Sequence, residues 1–157
     1  MKSEKNIITV YKWKTGFYTG KTEWKNQTGN LDRKNGPAIE WSNGDKEWWV
    51  DGKRHREDGP AIVLSNGSKS WYINGKLHRE NGPAIEYRTG SKEWRINGKR
   101  HREDGPAYEG EDGTKEWWFD GKMYTEEDFN KMLLDKQTCE MNEYKSFCKV
   151  YFKRKIV

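Results

Sequence analysis

Apolar and polar residues alternate along this chain in short runs, and the runs recur. Ile39/Trp41, Ile62/Leu64 and Ile85/Tyr87, with Tyr108 in the next place, form one set with a period of two. Trp48/Val50, Trp71/Ile73, Trp94/Ile96 and Trp117/Phe119 form a second. Period two over four to five residues predicts half-buried β-strands. Between the runs stand Asn43-Gly44, Asn66-Gly67, Thr89-Gly90 and Asp112-Gly113. After the second run come Asp51-Gly52, Asn74-Gly75, Asn97-Gly98 and Asp120-Gly121. Asn-Gly and Asp-Gly between alternating runs are the strongest local hairpin signal.

The whole pattern repeats every 23 residues, as Pro37, Pro60, Pro83 and Pro106 show. His55, His78 and His101 keep the same step, with Tyr124 in the fourth place. Four copies occupy residues 31–122. Residues 1–30 read as a degenerate capping copy, with Gly20, Trp24 and Gly29 in near-register and a strand over Ile7–Trp13 guarding the sheet edge. Residues 123–157 change period. Thr125-Glu126-Glu127-Asp128 resembles a capping box, and Phe129, Met132, Leu133 and Lys136 follow at helical spacing. A second segment has Tyr144, Phe147, Cys148 and Tyr151 at the same spacing and ends in Lys153-Arg154-Lys155, within the basic tail Lys149–Lys155. The expected fold is mainly β: a single-layer twisted antiparallel β-meander of tandem hairpins, about ten strands at about 4.8 Å each, with a small α-helical C-terminal cap of one or two helices.

The same alternation assigns faces. The two apolar sets are expected to form the core. The opposite column, Trp49, Tyr72, Arg95 and Trp118, neighbours Glu47, Ser70, Glu93 and Glu116 and is assigned to solvent. Trp, Tyr and Arg are enriched at interface hot spots, so these four are the candidate partner-binding residues.

Composition changes this picture in one respect. Only 32% of the residues are hydrophobic and 35% are charged, figures that in isolation point toward disorder. Nine Trp, eight Tyr and five Phe answer that, because a few large rings fill a thin core. The net charge of +5 sits at the ends. Residues 1–30 carry six Lys against two Glu, whereas residues 31–122 carry 17 basic and 17 acidic residues.

The repeat resembles the MORN repeat, through Gly-Lys-x-His, a strand, a Gly turn and an aromatic strand from about Asn30 to Lys122 and more weakly back to Tyr18. It departs in continuing His-Arg-Glu-Asp/Asn-Gly-Pro-Ala where a typical copy has His-Gly-x-Gly. It is most similar to divergent subtypes of bacterial antitoxin-like, phage and giant-virus proteins. The resemblance implies a scaffold for protein–protein or lipid-associated assembly, without catalysis.

The chemistry-bearing residues fit a non-enzyme without cofactors. Equivalent histidines stand two strands apart, about 9–10 Å, too far to share a zinc ion bound at about 2 Å. His-Arg-Glu-Asp recurs as His55–Asp58 and His101–Asp104, and as His78-Arg-Glu-Asn81, whereas an active site is one asymmetric constellation. Cys139 and Cys148 lack framework spacing and read as reduced thiols of a cytoplasmic protein. There is no signal-like apolar run and no transmembrane run. The expectation is a protein-binding repeat scaffold, of the kind a phage or virus directs against a host defence protein or enzyme. The rival is nucleic-acid binding through exposed aromatics and basic ends, against which the zero net charge of the array counts.

Overall fold

The computed structural model describes residues 5–12 and 18–153, with side chains from Gly20 to Cys139 and at Met141. Strands β1 (Lys5–Lys12) and β2 (Tyr18–Lys25) open it. The first copy supplies β3 (Ile39–Trp41), β4 (Lys46–Glu47), β5 (Trp49–Val50) and β6 (Lys53–Arg54). The second supplies β7 (Ile62–Val63), β8 (Lys69–Ser70), β9 (Tyr72–Ile73) and β10 (Lys76–Leu77). The third supplies β11 (Ile85–Glu86), β12 (Lys92–Glu93), β13 (Arg95–Ile96) and β14 (Lys99–Arg100). The fourth supplies β15 (Tyr108–Glu109), β16 (Lys115–Phe119) and β17 (Lys122–Tyr124), and α1 (Glu126–Lys153) follows.

The result is an antiparallel meander of hairpins with one C-terminal helix. An 11-stranded sheet runs β1-β2-β3-β4-β7-β8-β11-β12-β15-β16-β17, and the pairs β5-β6, β9-β10 and β13-β14 form a second row beside it. The expectation of about ten strands falls short, because each second strand of copies one to three is cut at its tryptophan. Trp48 is the corner. Its N–H donates to Ala61 O in the main sheet (2.8 Å), and its C=O accepts from His55 N in the small hairpin (3.1 Å). Trp71 and Trp94 do the same with Ala84/His78 and Ala107/His101. In the fourth copy β16 runs through its corner unbroken.

The two turns of each copy differ. Asp51, Asn74, Asn97 and Asp120 have φ of 45–52°, and the glycine after each has φ of 75–88°. Two successive positive φ values make type I′ turns, whose twist matches the strands they join. The other turn is longer by one residue: Gly44 N donates to Trp41 O and Trp41 N to Asp45 O. That is a three-residue loop with Gly44 as a left-handed bulge residue.

This extra residue overturns the expected faces. A two-residue Asn43-Gly44 loop would set Ile39 opposite Trp48. The three-residue loop sets Ile39 opposite Glu47, and the register continues Glu47↔Ile62, Ile62↔Ser70, Ile85↔Glu93 and Tyr108↔Glu116. The isoleucine column therefore shares its face with the glutamates. On the other face the same register forms the row Trp24, Ala38, Trp48, Ala61, Trp71, Ala84, Trp94, Ala107, Trp117, large and small in alternation. Ala38, Ala61, Ala84 and Ala107 are fully buried, whereas Val50, assigned to the core from the sequence, is exposed.

Arginines close this row. Arg33, Arg56, Arg79 and Arg102 lie 3.7–4.1 Å from the ring centroids of Trp24, Trp48, Trp71 and Trp94. Each donates to the carbonyl of the following Pro37, Pro60, Pro83 or Pro106. A Cβ on the Gly before each proline would lie 3.0–3.2 Å from the arginine Cζ, so the Gly in Gly-Pro-Ala leaves room for the guanidinium. Cation–π stacking of this kind contributes about 0.5–1 kcal/mol at partly exposed sites.

The degenerate copy joins the same row through Trp24, whose N–H donates to Ala38 O. Its inserted residue replaces a type I′ turn by a loop in which Gly29 N donates to Asn26 O and Asn26 N to Asn30 O. Strand β1 edges the sheet as expected, and Trp13 lies outside the described residues. Thr125 caps α1, its Oγ1 accepting from Asp128 N at 3.1 Å. The cap is one helix rather than two, and the side chains of Tyr144, Phe147, Cys148 and Tyr151 and the basic tail lie outside those described. No helix among the described residues is long and apolar enough to cross a membrane.

Because each Ala fills the gap between two Trp rings, Ala84→Leu is expected to destabilise the chain by about 1–3 kcal/mol through overpacking. Chemical denaturation checks this; an unchanged midpoint would mean that the row is not close-packed.

Candidate functional site

The two faces of the array offer different chemistry. The glutamate face carries the predicted column. Trp49, Tyr72, Arg95 and Trp118 lie on it two residues beyond Glu47, Ser70, Glu93 and Glu116, and all four are half-buried rather than open to solvent. Trp49 Nε1 donates to Glu47 (3.1 Å) and Trp118 Nε1 to Glu116 (2.8 Å). Arg95 donates to Glu93 and to Gly98 O, both at 2.6 Å. Arg54 lies over the rings of Trp49 and Tyr72, and Arg100 over Trp118 and Tyr108.

Glu93 anchors this network. It is 3% exposed and binds Arg95, Arg100 and the Tyr87 hydroxyl. Arg100 also reaches Glu116, tying copy three to copy four. Burial works against the Arg100 charge, yet Glu93 and Glu116 outweigh it and hold its pKa up. The second copy lacks both halves of the motif: Ser70 replaces the glutamate and Leu77 the arginine. The column thus contains a polar lattice made within the chain, with its aromatic N–H groups and guanidinium groups engaged.

The histidines act between copies. Asn74 N, Asn97 N and Asp120 N donate to Nδ1 of His55, His78 and His101 at 3.1–3.2 Å. Nε2 of each ring faces Glu57, Glu80 or Glu103 at 3.5–3.8 Å. Each imidazole latches one copy's hairpin to the turn of the next. The opposite edge has its own latches: Asp45, Ser68 and Ser91 side chains accept from Ser65 N, Arg88 N and Glu111 N. Among the described residues no group of three or more His, Cys, Asp or Glu side chains is placed to hold a metal ion.

The tryptophan face carries two adjacent open clefts. One open cleft, ≈ 600 Å³, lies between the loops Arg56–Pro60 and His78–Asn81, floored by Trp71 and Ile73. The next, ≈ 560 Å³, lies between Arg79–Gly82 and His101–Asp104, floored by Trp94 and Ile96. Sequence reasoning missed both clefts, because each is built by two copies and by the corner at Trp. In the fourth copy α1 takes the place of the next loop. Phe129 is 1% exposed beside Tyr124, and only ≈ 350 Å³ remains among Trp117, Phe129, Leu133 and the Glu103–Pro106 loop. The described part of α1 therefore lies on the tryptophan face and leaves the Trp49–Trp118 column uncovered.

The rims of the clefts are acidic at Glu57, Asp58, Glu80, Glu103 and Asp104. Arg56 and Arg102 hold the carboxyls of Asp58 and Asp104 below the usual carboxylate range. Set beside known proteins, the chain matches no family model, no curated protein and no solved structure.

Two predictions follow from these networks. Glu93→Ala leaves Arg95 with only a carbonyl acceptor and removes one of the two carboxylates of Arg100. It is expected to cost about 2–4 kcal/mol, in the range for breaking a largely buried ion pair, read as a lowered Tm; an unchanged Tm refutes the anchoring role. Acid unfolding should also be carboxylate-driven. Burial opposes ionisation of Glu23 and Asp45, but Lys21 and Lys25 for the first, and donors from Ser65 and Asn43 for the second, outweigh it and lower both pKa values. Their stabilisation is complete above the ordinary values of 4.5 and 3.8 and is lost as pH falls below these through the depressed folded values. A Tm profile from neutral pH to pH about 3 should bend downward there, and Asp45→Asn should flatten part of the bend.

Proposed function

We propose that the chain is a non-enzymatic repeat scaffold that binds another protein. The supporting observation is the pair of adjacent open clefts on the tryptophan face, each with an apolar floor and a polar rim, beside a third position that the chain fills with its own helix. Clefts of this volume with few convergent polar groups are the ordinary form of a recognition site. The Trp49, Tyr72, Arg95 and Trp118 column is a second candidate surface, with its polar groups already satisfied internally. The rival nucleic-acid reading draws less support: the repeated arginines are stacked on their own tryptophans and held by carboxylates or carbonyls, and the cleft rims are acidic, which repels phosphate. The narrower reading, an inhibitor made by a phage or virus against a host defence protein or enzyme in the cytoplasm, rests on the MORN-like resemblance of the repeat.

A photo-crosslinking amino acid at Asn81, which borders both clefts, tests the proposal against one at Trp49. The expected product from Asn81, in producing cells, is a protein adduct of discrete mass that survives nuclease. An adduct from Trp49 alone would move the site to the column. A nuclease-sensitive adduct, or none from either position, overturns the protein-binding reading.

A further inference from the structure

We infer that the two open clefts receive lysine side chains from an α-helix of the partner, each seated as Lys136 is seated in the fourth copy. This rests on the protein-binding reading and specifies what binds. In the fourth copy the chain displays an occupied position. Lys136 Nζ lies 5.2 Å from the Phe119 ring centroid and 3.0 Å from Glu103 Oε1. Leu133, three residues earlier on α1, lines the same cavity beside Trp117. Residues Leu133 and Lys136 are thus on one helical face, one against the apolar floor and one bridging floor and rim.

One copy back, the floor residue equivalent to Phe119 is Ile96 and the rim carboxylate equivalent to Glu103 is Glu80. Two copies back they are Ile73 and Glu57. Among the described residues, such a lysine is in place in the fourth copy alone. The consequence is visible in exposure: the Glu103 side chain is 54% exposed, against 79% for Glu80 and 84% for Glu57. The two open positions therefore keep the aliphatic floor residue and the solvent-facing carboxylate of this pair, while Arg79 and Arg102 lie on the Trp71 and Trp94 rings whose counterpart, Trp117, lines a cavity with Leu133 of α1. The neighbouring arginines do not neutralise the carboxylate, because Arg79 is committed to Glu86 and Pro83 O and Arg56 to Asp58 and Pro60 O. His55 and His78 use Nδ1 for the next copy's turn and face these carboxylates with Nε2 at 3.5 and 3.8 Å, just as His101 faces Glu103 at 3.7 Å beside Lys136.

Spacing selects the helix. Successive copies stand two strands apart, about 9–10 Å. Lysines seven residues apart on a helix lie about 10.5 Å apart along its axis and on nearly one face. A partner helix with Leu-x-x-Lys repeated once after seven residues places both lysines over Ile96/Glu80 and Ile73/Glu57 together.

The test uses the full chain and a fluorescein-labelled, lactam-stapled helical peptide carrying Leu-x-x-Lys twice, seven residues apart. Fluorescence anisotropy at low salt is expected to give saturable binding. Replacing both peptide lysines by norleucine should weaken it at least tenfold. Glu57→Gln with Glu80→Gln in the chain should do the same without changing Tm. No binding, equal binding of the norleucine peptide, or full binding by the Glu57→Gln, Glu80→Gln chain overturns the inference. The Asn81 adduct separates this from failure of the broader reading. If the Glu57→Gln, Glu80→Gln chain still forms that adduct in full, the scaffold binds a protein but not through lysines in these clefts.

Discussion

Everything in this array hangs on the contact between a tryptophan ring and the alanines on either side of it. A single-layer sheet has little interior, so one face must be made dry by its own side chains. Here the large ring at each corner covers the small side chain of each adjacent strand, and an arginine lies flat on the ring. That is why Ala38, Ala61, Ala84 and Ala107 are fully buried in a chain that is only 32% hydrophobic. The aliphatic and planar parts of arginine do the covering that an apolar residue does elsewhere, while its N–H groups stay bonded to carbonyls and carboxylates.

The remaining repeated residues follow from this contact. Proline supplies the carbonyl that holds the guanidinium, and the glycine before it leaves space for the guanidinium. Histidine on one edge and Asp45, Ser68 and Ser91 on the other fix each copy to the next, so neighbouring rings stay in register. Stability in such an array is the sum of copies and of the interfaces between them. The copies then differ where the lattice tolerates it. Glu and Arg at Glu47/Arg54 and Glu93/Arg100 are replaced together by Ser70 and Leu77, which avoids leaving either charge unpaired.

The same lattice separates structure from recognition. Its arginines are engaged, so the charges left facing solvent along the clefts are carboxylates. The helix that ends the array covers the last cleft and leaves the two before it open. An end cap on a solenoid is ordinarily a device for solubility; this one also exhibits a side chain seated over the floor and against the rim of a cleft.

Much of this was settled by the amino-acid sequence alone. The 23-residue period, the hairpins, the turns at Asp/Asn-Gly and the cap at Thr125 are local properties of a few adjacent residues, and each was legible there. The faces were not. Asn43-Gly44 reads as a two-residue turn, but the chain uses three residues, with Gly44 as a bulge. A shift of one residue in a strand with period two exchanges its faces, so Ile39 meets Glu47 and not Trp48. The register in turn depends on Trp48 bonding to Ala61 of the next copy and to His55 beyond its own turn. The clefts, the place of α1 and the engagement of the Trp49–Trp118 column depend on the same non-local bonds. They were decided only when the copies packed against one another, because a ring and the alanine it buries belong to different strands.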